Sequence, residues 1–470
     1  MRLDSGTRGR AGTLRSGLLG AAIAAVALLA PAGASAATIS VTTTTDEFDA
    51  GNRCSLREAI WSSNNNSNTL ADGCVAGSGT DLILVRPGVH NLTRLDPGPS
   101  FLQEDADLTG DLDVTAPVNI VNDRSQGVRP VTIDGPGSGL ADGRVFHVLA
   151  DGVLISGLGV RGGGASEEGS NEGGGILNAG TLTVRNSAIY DNSAVFGGGI
   201  SSDGTSSTTI INSTIARNSA FEDGGGTSVE TDGIMSLRGV TVAQNTADAD
   251  SSGGGDGGGV AVSSSGAGGT LTLRNTLLAG NVDRGREAHD CVEVGGSVTS
   301  LGRTFIGNPS GCSYTAGSGD VVNRSARLLS LQDNGGFTPT IALRKTSPAI
   351  NRGAACVRTD QRGVPRRLGG RCDIGAWELA RCRGVVINRV GTGAGERLDG
   401  TTGPDGILAL GGHDFLFGFD GRDGLCGGNG PDRLEGGPAD DQLDGGRGRD
   451  ACFPGPGRDR VIRCELPRRR

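Results

Sequence analysis

The sequence has very few of the side chains that usually build sugar-binding and zinc sites. Aromatic residues make up 3% of its 470 residues, and histidine occurs four times. Sugar sites favour stacking on aromatic rings, yet the sequence contains only two tryptophans and two tyrosines: Trp61, Trp377, Tyr190 and Tyr314. The histidines are scattered, with His147 and His289 isolated, and the cysteines lack the close spacing of a zinc knuckle. A zinc site is therefore disfavoured.

Long hydrophobic runs are also scarce. A single short one, residues 18–30, lies between four arginines and the small residues Ala34, Ser35 and Ala36. This pattern is typical of a cleaved secretory signal, and the run is shorter than the roughly 20 residues of a membrane helix. We therefore expect residues 1–36 to be a signal peptide. The mature chain is then extracellular, secreted or held at a cell surface, and has no membrane span.

Positive charge is in deficit as well. Loss of the signal, with its four arginines and one aspartate, changes the formal net charge from −9 to −12. Such an acidic chain repels the phosphates of nucleic acids and suits cations. We expect no nucleic-acid partner.

Glycine and cysteine, by contrast, are plentiful. Glycine accounts for 85 residues, against a usual share of about 7%. Ten cysteines in an exported chain favour disulfides. They cluster along the sequence as Cys54 and Cys74, Cys291 and Cys312, Cys356 and Cys372, and then Cys382, Cys426, Cys452 and Cys464.

The segment CSLREAIWSSNNN predicts a short amphipathic helix over residues 55–63. Ser55 and Glu58 have the spacing of a capping box, in which each side chain bonds the backbone N–H of the other residue. An apolar face is formed by Leu56, Ala59 and Ile60. The cap accounts for Glu58 better than a catalytic role does.

Residues 115–320 repeat an apolar-x-x-Asn pattern on a longer period. Four copies align, with asparagines at Asn192, Asn218, Asn245 and Asn281, so that the spacings are 26, 27 and 36 residues. Apolar residues recur three and eight positions before each asparagine, and a GGG corner recurs at 173, 197, 224 and 257. One coil of a solenoid per repeat fits this pattern. The sequence predicts a right-handed parallel β-helix in which the asparagines adopt left-handed turns and form a hydrogen-bonded ladder.

After residue 390 a strict nine-residue period of the form GGxGxDx-apolar-x takes over. Its aspartates are Asp405, Asp414, Asp423, Asp432, Asp441, Asp450 and Asp459, and its apolar slot holds Ile407, Leu416, Leu425, Leu434, Leu443, Cys452 and Val461. Two units make one layer of a β-roll, so Asp405, Asp423, Asp441 and Asp459 should stack on one side and the other three on the opposite side. Carboxylates and backbone carbonyls at flexible spacing suit Ca²⁺ rather than Mg²⁺. We therefore expect calcium at these aspartates. Glu396 is a candidate degenerate first unit, and the turns with Leu410 and Ala439 in glycine positions are expected to bind weakly.

Three motifs resemble known families. CSLREAI resembles the CSLREA domain that introduces many exported β-helix proteins, residues 334–379 are similar to the choice-of-anchor Q domain, and residues 391–461 look like hemolysin-type calcium-binding (RTX) repeats. The resemblance implies a closing role for 334–379 at the end of the helix. It also implies the pairs Cys54–Cys74, Cys291–Cys312 and Cys356–Cys372, and less firmly Cys382–Cys426 and Cys452–Cys464.

These observations together predict an all-β chain: a pectate-lyase-like right-handed parallel β-helix with an N-terminal capping helix and a C-terminal calcium β-roll. The expected segments are the signal peptide at 1–36, a CSLREA-type cap and first coils at 37–114, β-helix repeats at 115–320, a closing anchor-Q-like segment at 321–380, and calcium-binding repeats at 391–464.

Activity is the least determined property. A polysaccharide lyase needs a base and calcium-holding acids in a groove. The aligned arginines Arg185, Arg238 and Arg274 could line one, but solvated or paired arginines are the commoner case. A hydrolase needs two facing carboxylates, and no aligned pair stands out. We expect an extracellular surface, matrix or adhesin-like component whose partners are calcium and cell-surface or matrix glycans; the alternative is a carbohydrate-active enzyme on the same fold.

Overall fold

The chain folds as a stack of β-strand coils followed by a smaller roll of strands. The computed structural model describes residues 35–68, 73–95, 108–137, 142–166, 171–251, 254–263, 268–286, 289–366 and 371–465. Residues 1–34 of the expected signal peptide lie outside this part of the chain. Over the described residues, no helix combines the length and hydrophobicity needed to cross a membrane.

Two long parallel sheets carry the coils. In spatial order, the described strands of the ten-stranded sheet are Thr38–Ser40, Asp81–Val85, Val118–Asn122, Val153–Ser156, Thr181–Arg185, Ser207–Ile211, Ile234–Arg238, Thr270–Arg274, Ser297–Ser300 and Tyr314–Thr315. Those of the nine-stranded sheet are Gly88–Asn91, Val131–Asp134, Gly159–Arg161, Ala188–Tyr190, Thr214–Ala216, Thr241–Ala243, Leu277–Leu278, Phe305–Ile306 and Val321–Val322. The first sheet thus joins strands from both the 37–114 and the 115–320 segments.

Two further sheets complete the coil walls. The described strands of the seven-stranded sheet are Leu112–Val114, Phe146–Val148, Ile176–Asn178, Ile200–Ser202, Thr227–Val229, Val260–Ser263 and Cys291–Val294. Those of a six-stranded sheet are Asp142–Gly143, Gly164–Ala165, Ser193–Ala194, Ser219–Ala220, Thr246–Ala247 and Val282–Asp283. Pairing in all of these sheets is parallel except between the first two strands of the last one. The parallel β-helix is confirmed.

Equivalent side chains of successive coils lie directly above one another. Ile189 pairs with Ile215, Ile215 with Val242, and Val242 with Leu278, and all four are fully buried. Because each coil presents the same inward residue, the apolar rows merge into one core along the solenoid. The repeat lengths of 26, 27 and 36 residues therefore change loop length without changing the core.

The asparagine ladder is present and extends beyond the repeats. The backbone N–H and side-chain Nδ2 of Asn218 both donate to Oδ1 of Asn245, each at 3.0 Å, and the same pattern links Asn192 to Asn218 and Asn245 to Asn281. Asp290 ends the ladder by accepting from Asn281 at 2.9 and 3.1 Å. The predicted left-handed turn was misplaced by one residue. Positive φ occurs just before each ladder asparagine, at Asp191, Arg217, Gln244 and Gly280.

A single described α-helix, Leu56–Asn65, covers the N-terminal end of the stack, as predicted. Ser55 and Glu58 form the capping box, with 3.1 Å from the Glu58 N–H to Ser55 Oγ and 2.8 Å from the Ser55 N–H to Glu58 Oε2. Leu56, Ala59 and Ile60 join the coil core. A short 3₁₀ helix, Arg124–Gln126, occurs in a later coil.

The segment after the coils lies somewhere other than expected. The antiparallel hairpin Leu328–Gln332 and Thr340–Leu343 packs Leu331 and Ile341 against the outward alanines of the nine-stranded sheet, Ala188, Ala216 and Ala243. Gln361, Arg366 and Ala376 then hydrogen-bond residues of two successive coils, at Thr214, Asn212 and Thr241 respectively. Residues 334–379 therefore cover the flank of the solenoid instead of closing its end. Small outward side chains on the sheet make this lateral packing possible.

The C-terminal roll has two sheets, whose described strands pair in parallel except that Arg381–Cys382 pairs antiparallel with Val385–Val390. Its six described strands on one side are Arg381–Cys382, Val385–Val390, Gly406–Leu408, Gly424–Asn429, Gln442–Arg447 and Arg460–Ile462; the four on the other are Arg397–Asp399, Phe415–Phe417, Arg433–Glu435 and Ala451–Phe453. The predicted apolar slots are buried between the sheets, except that Val461 in the last unit is 40% exposed. Buried Arg362 joins the flank segment to the roll by donating to the Asn334 and Ile387 carbonyls.

Five disulfides connect all ten cysteines. They are Cys54–Cys74, Cys291–Cys312, Cys356–Cys372, Cys382–Cys426 and Cys452–Cys464, the same pairs that the resemblance implies. Four of them link residues at most 21 positions apart. Cys382–Cys426 spans 44 positions and ties the beginning of the roll to its third layer.

Candidate metal centre

The seven aspartates of the nine-residue period form two stacks, one on each side of the roll. On one side the backbone N–H of Asp405 donates to Oδ1 of Asp423 at 2.8 Å, and the pattern continues through Asp441 to Asp459. On the other side Asp414 donates to Asp432 and Asp432 to Asp450, at 3.0 and 2.9 Å. The eighteen-residue register predicted from the sequence is confirmed.

Other polar residues end the two stacks. Asn388 donates to Oδ1 of Asp405 at 2.7 Å, and the backbone N–H of Asp450 donates to Glu465 at 2.8 Å. Glu396 begins the second stack, with its N–H 2.9 Å from Oδ1 of Asp414. The spacing of Glu396 identified it in the sequence, whereas Asn388 and Glu465 fall outside the nine-residue period and gave no signal.

The second carboxylate oxygen of the interior aspartates is buried and unsatisfied. Among the described residues, Oδ2 has no hydrogen-bond partner in Asp414, Asp423, Asp432, Asp441 and Asp450. In Asp423, Asp432, Asp441 and Asp450 this oxygen lies against the first glycine of the unit, so that a Cβ on Gly427, for example, would overlap Oδ2 of Asp432. In the unit of Asp414 that position is Ala409. The glycine thus leaves room for a carboxylate oxygen. Buried unpaired carboxylate oxygens are unfavourable unless a cation neutralises them.

Burial and mutual repulsion raise the pKa values of these groups. Burial, with the carboxylates of Asp432 and Glu396 nearby, raises the pKa of Asp414 to about 7. Burial raises the pKa of Asp423 and of Asp441 to about 6, and that of Asp432 and Asp450 is raised for the same reason. The stacks therefore hold their negative charge at an energetic cost.

The turns bring backbone carbonyl oxygens close to the Oδ2 atoms of the stacked aspartates. A Cβ on Gly427 would overlap both Oδ2 of Asp432 and the carbonyl oxygen of Gly445 in the adjacent layer. Carboxylate and carbonyl oxygens from flexible, stacked turns are the donor set of Ca²⁺. The two expected weak turns do have side chains at positive φ, 73° at Leu410 and 97° at Ala439.

Comparison with known proteins agrees with this donor set. Residues 390–425 and 427–461 match the RTX calcium-binding nonapeptide repeat in four copies, and these repeats bind calcium. No relative is found among the curated proteins. Among solved structures the chain is similar to pectate lyase Pel9A, with 16% identity and a TM-score of 0.39 over 73% of this chain and 96% of that one.

The β-helix holds a separate polar cluster that the sequence did not indicate. Asp111, Asp113 and His147 place ligand-type atoms within 4.8 Å of one another, all buried. His147 is therefore not isolated: its Nδ1 is 3.2 Å from Oδ1 of Asp113. Arg144 is equally buried, with Nε 3.0 Å from Oδ2 of Asp111, and supplies the positive charge that a metal would bring. This cluster is best described as a buried ion-pair network.

Over the described residues, the aligned arginines do not form a groove with acids. Arg185, Arg238 and Arg274 are exposed and share one register position, but Ile211 interrupts the row between the first two. Arg238 reaches the Ala355 carbonyl of the flank segment at 3.5 Å. Acidic residues cluster away from these arginines, around Glu172. Burial and the nearby Asp203 carboxylate raise the pKa of Glu172 to about 7, and the Ser201 hydroxyl donates to Glu172 at 2.9 Å.

A depression of about 660 Å³ lies where the last coils meet residues 323–328. It gathers Arg324, Arg327, His289 and Asp290 at the end of the asparagine ladder. Asp290 already accepts from Asn281 and from the Asn308 N–H at 2.6 Å, so its carboxylate serves the ladder.

Removal of an interior aspartate should weaken calcium binding more than removal of a terminal one. Asp432 has stacked neighbours on both sides, whereas Asp459 is the last of its row and partly exposed. In calcium titrations of the full chain by calorimetry, we expect Asp432→Ala to lose at least one site. Asp459→Ala should change affinity only a few-fold, and Asp399→Ala, outside the turns, should match the wild type. Equal losses in the first two variants would contradict the stacked-site geometry.

The pH dependence should change sign with calcium. Raised pKa values in the folded roll favour protonated carboxyls, so the calcium-free roll is most stable below about pH 4 and loses stability as pH rises through 6 to 7. Calcium needs the ionised forms, so its affinity should fall as pH falls through the same range. Thermal unfolding at pH 5 and pH 8, with and without calcium, measures both trends. Asp414→Asn should flatten the calcium-free trend; an unchanged slope would refute this account.

Proposed function

We propose that this protein is an exported, calcium-stabilised β-helix protein that acts as an extracellular surface or matrix component of an adhesin-like kind. The observation that carries the proposal is the pair of aspartate stacks, whose buried Oδ2 atoms need a cation. Five disulfides support an oxidising, extracellular setting. Calcium in such extracellular modules binds at roughly 10⁻⁴ to 10⁻³ M, which suits a roll that closes after export.

Calcium coupling to folding follows from the composition of the roll. Each unit contributes a single apolar side chain to the core, such as Leu425 or Leu434. Glycine-rich backbone has a high entropic cost of ordering, and that small core does not offset it. Calcium neutralises stacked carboxylates and joins successive turns, so binding supplies the missing stabilisation.

A surface role also fits the β-helix, whose flank is covered by its own chain. The hairpin of Leu328–Gln332 and Thr340–Leu343 buries part of the outer face of the nine-stranded sheet through Leu331 and Ile341. A matrix glycan would therefore contact the surface around Arg185, Arg238 and Arg274 or the loops of the other sheets. The proposed partners are therefore calcium and cell-surface or matrix glycans.

Calcium should control surface retention in the producing cells. We expect the protein in the extracellular and surface fractions, and we expect a chelator to release part of the surface-bound pool because the roll opens. Asp432→Ala should shift the protein from the surface to the medium at the same calcium concentration, while Asp399→Ala should not. An intracellular location of the mature chain, or retention that ignores both calcium and Asp432, would refute the proposed role.

The alternative is a carbohydrate-active enzyme on the same fold. The cluster of Glu172, Asp203 and Glu230 is the observation that favours it, because burial raises the pKa values of both glutamates. We expect no depolymerisation of pectate or alginate, measured as new unsaturated ends by ultraviolet absorbance and as reducing ends by colorimetry. Turnover that disappears in Arg238→Ala or Glu172→Gln, with folding intact, would establish the enzyme instead.

A further inference from the structure

We propose that the outer face of the four-stranded sheet of the roll binds a neutral carbohydrate, and that it does so only when calcium orders the adjacent turns. The inference rests on the proposed surface role for its setting and adds a specific site to it. The site is a groove of about 580 Å³, hereafter the phenylalanine groove, lined by Phe417, Phe419 and Phe453, by Glu435 and Asp420, and by Thr401, Thr402, Gly436, Gly437, Pro438 and Gly455.

The roll holds a disproportionate share of the aromatic residues. The chain has 11 phenylalanines, and four of them lie on or beside this sheet: Phe415, Phe417, Phe419 and Phe453. In the strand register Phe417 pairs with Glu435, and Glu435 with Phe453. The two aromatic walls are thus two strands apart, roughly 9.5 Å, with a carboxylate between them. Phe417 and Phe453 are half-buried, and Phe415 and Phe419 are exposed. Accessible aromatic side chains grouped in this way are typical of a binding surface.

Phe419 occupies a strained position without a packing reason. The equivalent positions in the next two layers are Gly437 and Gly455, whose φ values are 111° and 87°. Phe419 has a φ of 67° there, and its side chain is 44% exposed. A bulky residue at positive φ is a genuine outlier. Leu410 also replaces a glycine, but it packs into the apolar cluster between the flank segment and the roll. Phe419 belongs to none of the apolar clusters of the described residues, and its ring stacks on that of Phe417 with 6.2 Å between centroids. Strain retained at an exposed aromatic residue points to a ligand.

The chemistry of the lining matches a neutral sugar. Pyranose rings present apolar C–H faces to aromatic walls and hydroxyl groups at their edges, and Phe417 and Phe453 supply the walls. The Glu435 and Asp420 carboxylates and the Thr402 hydroxyl can accept hydrogen bonds from sugar hydroxyls. The described lining contains no arginine, lysine or histidine, and the two arginines that border it are already paired, Arg397 with Asp399 and Arg433 with Glu435, so uronates and sulfated sugars find no unpaired counter-charge there.

Two arginines outside the groove hold the rings in place. Arg397 lies 4.1 Å from the centroid of Phe417, and Arg433 lies 4.2 Å from that of Phe453. Arg433 also pairs with Glu435 at 2.6 Å, which offsets the negative charge between the walls. A neutral ligand therefore fits the groove better than an organic cation does.

The groove and the calcium stack are made from the same turns. Thr401 donates from its backbone N–H and its hydroxyl to Oδ2 of Asp405, at 2.6 and 2.8 Å. Phe419 and Asp420 precede Asp423 in one turn, and Gly437 and Pro438 precede Asp441 in the next. A roll that is open without calcium cannot keep these segments in register, so sugar binding should depend on calcium.

The test uses the full chain with cellohexaose and mannohexaose as neutral probes, trigalacturonate as an anionic probe and choline as a cationic one. Calorimetry in calcium should detect one or both neutral oligosaccharides, and chelation should abolish that binding. Phe419→Gly should weaken it at least ten-fold while thermal stability in calcium stays equal or rises, because glycine relieves the strain. Phe415→Ala is the matched control: Phe415 is exposed on the same strand but does not line the groove, so its binding should be unchanged.

Each contrary result has a distinct meaning. Calcium binding without retention of any neutral probe, equal affinity in Phe419→Gly, or a preference for trigalacturonate or choline would overturn the groove assignment and leave the proposed calcium role intact. A wild-type chain that binds no calcium would instead overturn the proposed function.

Discussion

Parallel stacking in register is the constraint on which the rest of this structure depends. Each coil of the β-helix and each layer of the roll lies one strand spacing, roughly 4.8 Å, from the next, so equivalent side chains meet their own kind. A side-chain amide suits this arrangement because it both donates and accepts. Each asparagine can therefore hydrogen-bond the next one along the stack, as Asn218 does with Asn245. A carboxylate only accepts. Asp432 satisfies one oxygen with the backbone N–H of Asp414 and leaves the other without a partner among the described residues. The same geometry thus yields a self-sufficient ladder in one domain and a cation requirement in the other.

The periodic parts of this architecture were predictable because stacked positions require similar residues at a constant spacing in the sequence. The spacing of Asn192, Asn218 and Asn245 gave the coils, and the nine-residue aspartate period gave both stacks of the roll. Residues that end a stack have no such signal: Asn388, Asp290 and Glu465 are placed by the fold alone. The lateral position of residues 334–379 was equally hidden, because it depends on the outward alanines of three coils that become neighbours only in the folded solenoid.

The candidate sites show the same division. The stacked aspartates repeat, and their stacking was predicted from the sequence. The phenylalanine groove was missed because Phe417, Glu435 and Phe453 occupy one register position with different residues, so that the pattern contains no repeat. Phe419 gave a weak signal that could have been used, since a bulky residue in a glycine slot conflicts with the local backbone requirement. Departures from a period were therefore as informative as the period itself.

Calcium and the disulfides both affect the folding equilibrium of the roll, calcium through the folded state and the disulfides through the unfolded state. The Cys382–Cys426 bond closes 44 residues and restricts the unfolded roll, which by loop entropy is worth about 4 kcal/mol. Calcium instead stabilises the folded roll by neutralising stacked aspartates. Because the disulfide joins the edge strand to Gly424–Asn429, it holds the first layers against the flank segment, where Arg362 also bonds the Ile387 carbonyl. The layers beyond Asp432 lie outside this loop. We therefore expect their order to depend more heavily on calcium, since the short loop closed by Cys452–Cys464 does not attach them to the β-helix.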